Sequence, residues 1–248
     1  MSECFHEALL MDVMSSVAPL GRTVIFGLDS QLSQSTDLFT ILSIDEQERS
    51  ARFLHERDRA RYIVARARLR QMLATELAVA PTELCFDLGV QGKPALAAPW
   101  RDSGVKFNLS HSHGVALLGV AHGREIGVDV EILRQLRNED AIARRFFSPR
   151  EYADYVAVDA AGRNEAFFNC WTRKEAFIKA LGLGLQFPLH SFDVTLKSEE
   201  PARIRRIGVQ YGADCPWHLA AFRPAAHLFA AVVLEGTTAF EVMPTVTV

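Results

Sequence analysis

With 248 residues and a formal net charge of −3 from 27 basic and 30 acidic side chains, the chain has no overall field to recruit nucleic acid or an anionic membrane. Any electrostatic site must be local. The length suffices for one large domain or two of about 120 residues, either of which can bury a core. Cys4, Cys85, Cys170 and Cys215 show neither CxxC nor metal-ligand spacing, which predicts reduced thiols in a cytoplasmic protein. The apolar patch from Ala8 to Val17 is broken by Asp12, and no Lys or Arg precedes Arg22. Residues 1–20 therefore read as a flexible extension rather than a secretory signal. No stretch approaches the roughly 20 apolar residues of a membrane span.

Thr23 to Leu28 is a short β-branched, apolar run and predicts a first strand. From about Asp45 to Ala78 there is no Gly or Pro, and Phe53, Ala60, Ile63, Val64, Ala67, Met72 and Leu77 keep helical spacing, which predicts one long helix or two in succession. Arg49, Arg52, Arg57, Arg59, Arg61, Arg66, Arg68 and Arg70 crowd this segment. They fit either a solvated face or an anion site, since guanidinium groups match phosphate geometry. Between Lys106 and Ile132 three apolar runs separated by turns predict an antiparallel meander. Ser148-Pro149-Arg150-Glu151 is a capping box with Pro at the first helical position, so a helix should run from there to about Val158. A second should cover Asn164 to Leu181 and stop at Gly182. Four strands follow from Ser191 onward. Each half then combines helices with an antiparallel sheet, an α+β arrangement with a seam near Ala121 to Gly123 and lobes at residues 1–122 and 123–248.

Asp129 and Glu131 share one face of the strand EIGVDVEI by the period of 2. Two such carboxylates suit either a polar outer face or a hard cation such as Mg²⁺, which keeps waters and takes a few carboxylates. On the helix NCWTRKEAFIKALG, Glu175 and Lys179 are spaced for an ordinary i,i+4 pair. Trp171, Phe177 and Ile178 predict a partly buried helix, with Lys174, Glu175 and Lys179 pointing into a cleft. The turn from Asn108 to Gly114 offers hydroxyl and imidazole groups to a small anion. His111 and His113 lack a third ligand for zinc. No GxSxG elbow, phosphate loop or dinucleotide fingerprint is present: Pro94 stands where a phosphate loop after Lys93 needs Ser or Thr.

GKPAL at 92–96, FNLSHS at 107–112, GVDVE at 127–131, RRFFSPREY at 144–152 and WTRKEAFIKALGLGL at 171–185 occur in one order. Together they resemble the signature segments of surfactin-type 4'-phosphopantetheinyl transferases, from roughly Ser43 to Phe192. The resemblance implies two similar lobes related by a pseudo-twofold, with coenzyme A between them and its phosphopantetheine arm passing to a serine of an apo carrier protein. It assigns Asp129, Glu131 and Glu175 to Mg²⁺, for which Mn²⁺ could substitute, and makes Glu175 and Lys179 catalytic. Ser110, His111 and Lys174 would meet coenzyme A, Lys93 and Pro94 its adenine, and Arg49 and Arg61 its 3'-phosphate. The family often has a lysine where Glu46 stands, and Arg52 is the nearby replacement. Arg134, Arg137, Arg144 and Arg145 would either face water or receive an acidic carrier. A monomer that binds neither nucleic acid nor membrane is expected. The rival readings are a non-catalytic coenzyme A or carrier-binding module, and a magnesium-dependent phosphotransferase on another nucleotide. The first predicts a lost metal ligand, and all three carboxylates are present.

Overall fold

The computed structural model describes residues 21–89, 91–208, 216–236 and 245–247, so the expected extension at 1–20, with Cys4, and also Cys215, lie outside the described residues. In chain order, strand β1 (Gly21–Gly27) leads through a 3₁₀ turn at Asp29–Gln34 to helices α1 (Ser35–Phe39), α2 (Ile44–Ser50) and α3 (Glu56–Leu77). A small hairpin of β2 (Phe86–Leu88) and β3 (Pro94–Leu96) precedes β4 (Val105–Ser112), β5 (Val115–His122) and β6 (Ile126–Ile132). Helices α4 (Glu139–Phe146), α5 (Pro149–Ala157) and α6 (Arg163–Leu181) follow. Last come β7 (Phe192–Val194), β8 (Ile204–Ile207), β9 (Trp217–Phe222), β10 (Leu228–Glu235) and β11 (Thr245–Thr247). The fold is α+β, as expected. Among the described residues no helix is long and apolar enough to cross a membrane.

Local chemistry sets the helix ends where it was legible. Ser148 and Glu151 cap α5 reciprocally behind Pro149, and α6 stops at Gly182 in the left-handed region at φ 69°. Of one long helix or two in succession over 45–78, the structure has two, α2 and α3, and α2 carries its own capping box from Ser43 and Glu46.

The meander is a correction. β4 and β5 do form a hairpin with Ser112 opposite Val115, and the strand runs through Ser112, so the turn is only His113-Gly114. But β6 leaves that sheet. One sheet has the order β11-β1-β5-β4 and the other β6-β10-β9. They pack face to face, burying Ile25, Leu117 and Ala121 of the first against Val128, Val130 and Val232 of the second. Gly119 permits this approach, since a Cβ there would lie 2.7 Å from Val128 Cγ1. Helix α3 covers the far face of the first sheet with Leu69 and Leu73 over Phe26, Phe107 and Leu118. Helix α6 covers the far face of the second with Phe168, Phe177 and Ala180 over Phe229 and Val233. The result is a helix, sheet, sheet, helix stack. The C-terminal strand β11 pairs parallel with β1 and so joins the first sheet, covering an edge that would otherwise be open.

Two expectations about charge also change. A polar outer face would leave Asp129 in solvent, yet it is 3% exposed because α6 covers that side of β6. The arginines of α3 are mostly engaged: Glu46 accepts from Arg66 and from Arg70, the latter at 2.6 Å and itself 1% exposed. Glu46 thus ties α2 to α3. Arg70 also donates to the carbonyls of Pro81 and Leu84 at 2.9 Å, so its charge is satisfied on three sides.

The tightest backbone approach at a described glycine is between β6 and α6. A Cβ at Gly127 would fall 2.1 Å from the Ala176 carbonyl oxygen and 2.2 Å from the Ala180 nitrogen. These are backbone atoms and cannot swing aside. We predict that Gly127→Val lowers stability by about 3 kcal/mol or more, the upper end for overpacking, read as a fall in the urea midpoint at unchanged slope. A parent-like midpoint would show that α6 can withdraw from β6 at no cost.

Candidate active site

Because Gly127 lets α6 lie directly on β6, residues one turn apart on that helix face meet the acidic residues of the strand. Lys179 Nζ sits 2.5 Å from Asp129 Oδ1 and 2.9 Å from Ser110 Oγ, and Ser110 donates to the same Asp129 oxygen at 2.9 Å. Three elements, β4, β6 and α6, therefore converge on one carboxylate. Glu131, two residues on, accepts from Ser112 Oγ at 2.8 Å and from Arg134 Nη1 at 2.9 Å. The expected docking residue Arg134 is thus also a counter-ion of Glu131.

Glu175 lies one helical turn before Lys179. Burial, then the neighbouring Asp129, pushes its carboxyl up to about 7, with Lys179 opposing. Burial likewise raises Asp129 against the pull of Lys179. Asp129 Oδ2 and Glu175 Oε1 are both buried with no hydrogen-bond partner among the described residues. Leaving a charged acceptor buried and unpaired costs upwards of about 1–3 kcal/mol, and a cation is the species that would remove that cost. Among the described residues no group of three or more His, Cys, Asp or Glu side chains is drawn together closely enough to hold a metal ion by itself. The donors at this end of β6 and α6 are carboxylate oxygens, the hard ligands that suit Mg²⁺, which keeps several waters and shares substrate phosphates, and thiolates or a set of histidines for zinc are absent among the described residues there.

The basic side of the site comes from the first half of the chain. His111, an exposed side chain, is held below its usual range by partial loss of water around its ring, then by the charges of Lys179 and Arg61. Arg61 forks onto Asp29 at 2.6 and 2.8 Å, and Arg57 reaches the same carboxylate at 2.5 Å. Those arginines, Arg61 first, hold Asp29 well below the usual carboxylate range despite its partial burial. Asp29 in turn touches the β4–β5 turn, where a Cβ on Gly114 would meet it at 2.6 Å. Sequence reasoning does not find Asp29; its only signal is its place directly after the first strand. Arg49 lies over the ring of Tyr62 at 5.8 Å.

Other expected site residues do not join this cluster. Lys93 crosses to the far end of α6, donating to Glu125, to the Ile126 carbonyl and to the Ala180 carbonyl at 3.1 to 3.3 Å, and burial lowers its ammonium. Pro94 opens β3 opposite Leu88. Lys174 is a correction: it does not face a cleft or a ligand. It is 0% exposed, paired with an equally buried Glu151 at 2.7 Å, and donates to the carbonyls of Leu189 and Phe192 at 2.8 Å. Successive helical residues are about 100° apart, so Lys174 and Glu175 point to different sides of α6.

Comparison with known proteins identifies the family. A family model described as the 4'-phosphopantetheinyl transferase superfamily matches residues 125–232, and one described as 4'-phosphopantetheinyl transferase, N-terminal, matches 29–122. The chain is 37% identical over 209 residues to the 4'-phosphopantetheinyl transferase HetI of Nostoc sp., across 84% of this chain and 85% of that relative. It is 31% identical over 179 residues to the 4'-phosphopantetheinyl transferase Sfp of Bacillus subtilis, across 71% of this chain and 77% of that one. Among solved structures, the holo-(acyl-carrier-protein) synthase from Bacillus anthracis in complex with coenzyme A (3',5'-ADP) superposes on 46% of this chain and 96% of its own, with a TM-score of 0.38 and 20% identity. The chain belongs to the 4'-phosphopantetheinyl transferase family and is an enzyme of that class.

Breaking a buried ion pair from one side strands the other charge, at about 3–5 kcal/mol. We predict that Lys174→Met costs that much in urea denaturation. An unchanged midpoint would contradict a structural role for the Lys174–Glu151 pair.

Proposed function

We propose that the protein transfers the 4'-phosphopantetheine group of coenzyme A to a serine hydroxyl of an apo carrier protein, in the manner of the surfactin-type enzymes. The observation that carries this reading is the pair of partnerless buried oxygens, Asp129 Oδ2 and Glu175 Oε1, beside Lys179. Asp129, Glu131 and Glu175 would hold Mg²⁺, which when bound supplies positive charge to the diphosphate oxygens.

The chain's own residues then divide the work. Lys179, with Ser110 and His111, would bind the diphosphate of coenzyme A and offset the charge that builds on its oxygens. Glu175, whose carboxyl is pushed up to about 7 by burial and then by Asp129, would in its ionised form accept the proton of the carrier serine. The serine oxygen bonds to the phosphorus that bears pantetheine, the bond from that phosphorus to the 3',5'-ADP oxygen breaks, and 3',5'-ADP leaves. Arg61 and Arg49 would hold the 3'-phosphate, with Lys93 and Pro94 bordering the adenine.

The lobes proposed for this chemistry are residues 1–122 and 123–248, meeting at the seam between the two sheets, in a monomeric cytoplasmic protein. The exposed Arg137, Arg144 and Arg145, with Arg134 beside Glu131, would receive an acidic carrier surface. Arg144 is steadied by Tyr152, whose hydroxyl lies 2.8 Å away.

The direct test incubates the protein with coenzyme A, Mg²⁺ and a panel of apo carrier proteins and seeks the phosphopantetheine mass increment on the carrier. In the same assay Glu175→Gln should bind coenzyme A and lose about two orders of magnitude or more in the chemical step. An unchanged rate with a raised Mg²⁺ requirement would leave Glu175 a ligand and not a base. For the 3'-phosphate, Arg61→Ala should weaken coenzyme A by about 1.5–3 kcal/mol and leave 3'-dephospho-coenzyme A nearly untouched. Equal losses for both compounds would remove Arg61 from that contact.

A further inference from the structure

β6 is an edge strand whose outward N–H groups face the first sheet, and buried backbone donors of this kind must find acceptors. No described strand supplies them. Instead, three side chains on one face of β4 do so: Asn108 Oδ1 accepts from Val128 N at 2.9 Å, Ser110 Oγ from Val130 N at 3.4 Å and Ser112 Oγ from Ile132 N at 3.4 Å. Side chains on one strand face and N–H groups on one strand edge both repeat every two residues, so the rungs stay in step.

Two of these rungs do more than close an edge. A serine hydroxyl has one proton to give and two lone pairs. Because Ser112 Oγ accepts from Ile132 N, its proton is free to point at Glu131, and it donates to Glu131 Oε2 at 2.8 Å. Ser110 repeats the pattern one rung away with Val130 N and Asp129 Oδ1. Asn108 touches no carboxylate among the described residues; its acceptor oxygen serves Val128 N. Glu131 Oε2 also receives Arg134 Nη1 at 2.9 Å, so one carboxylate oxygen is pinned by two donors and Oε1 is the oxygen open to a ligand.

We infer that Ser112 is a positioning residue: through its hydrogen bond to Oε2 it orients the Glu131 carboxylate so that Oε1 meets the divalent cation of the proposed transfer. This rests on the proposal that Asp129, Glu131 and Glu175 hold a metal. A free glutamate loses side-chain entropy on being fixed, and a partner that fixes it in advance lowers the cost of binding. Partners of this kind are worth about 10- to 100-fold in metal affinity.

The test uses Mn²⁺ as the probe on the full chain with coenzyme A present, following the loss of the free Mn²⁺ electron paramagnetic resonance signal, with thermal unfolding measured on the same samples. Ser112→Ala should weaken Mn²⁺ about 10-fold or more, while Ser112→Thr, which keeps the hydroxyl, should bind near the parent value. Asn108→Ala, which opens the same seam without touching a carboxylate, should lower the unfolding temperature and leave Mn²⁺ affinity in place. If the alanine variant does not fold, Ser112→Cys keeps the volume, weakens the donor and carries the same comparison. Parent-like Mn²⁺ affinity in Ser112→Ala, or an equal loss in Asn108→Ala, would overturn the positioning role while the metal reading stands. A parent protein that binds no Mn²⁺ would sink both.

Discussion

Gly127 has no side chain, and the site exists because of that. At this residue the backbone of α6 comes so near β6 that even a methyl group would overlap the Ala176 carbonyl and the Ala180 amide. The helix therefore sits where its polar residues at 175 and 179 reach a strand carboxylate rather than hovering a side-chain layer above it. Close approach also excludes water, which is why Asp129 and Glu175 are both pushed toward their neutral forms even with Lys179 beside them. Packing and chemistry are set here by the same contact.

One helix carries two ion pairs with opposite fates. Lys174 is paired with Glu151 and two carbonyls, so every donor of its ammonium is used and nothing about it is available. It fastens α6 to α5 and to the chain around β7. Lys179 shares its carboxylate with a serine and remains about a quarter exposed, with unpartnered oxygens nearby. A fully satisfied buried charge holds a fold, whereas a partly satisfied one at an open edge can exchange its partners for a ligand's. Among the arginines of α3, Arg70 is closed off by Glu46 and two carbonyls, while Arg61 forks onto Asp29 and also adds its charge to the field at His111.

The seam between the sheets is apolar in its middle and polar along β6's edge. Val128, Val130 and Val232 pack against Ile25 and Leu117, while Asn108, Ser110 and Ser112 stand in for a missing strand. Side-chain acceptors satisfy the backbone without imposing a continuous sheet, so β6 can belong to one sheet and still be registered on the other. That register brings residues 19 apart in sequence, Ser110 with Asp129 and Ser112 with Glu131, into repeated contact.

The sequence alone determined what depends on neighbours along the chain. The capping box at Ser148, the stop at Gly182 and the shared face of Asp129 and Glu131 all follow from local stereochemistry and strand or helix period. Five short segments in order were enough to indicate the family. Tertiary structure decided everything that depends on which surfaces meet. Three apolar runs with turns read as a meander, yet β6 pairs with β10, nearly a hundred residues later, because strand patterning specifies a face and not a partner. Lys174 and Glu175 are adjacent in sequence and equally polar. Only the packing of α5 and β7 on one side of α6, and of β6 on the other, makes one a buried fastening and the other a candidate base.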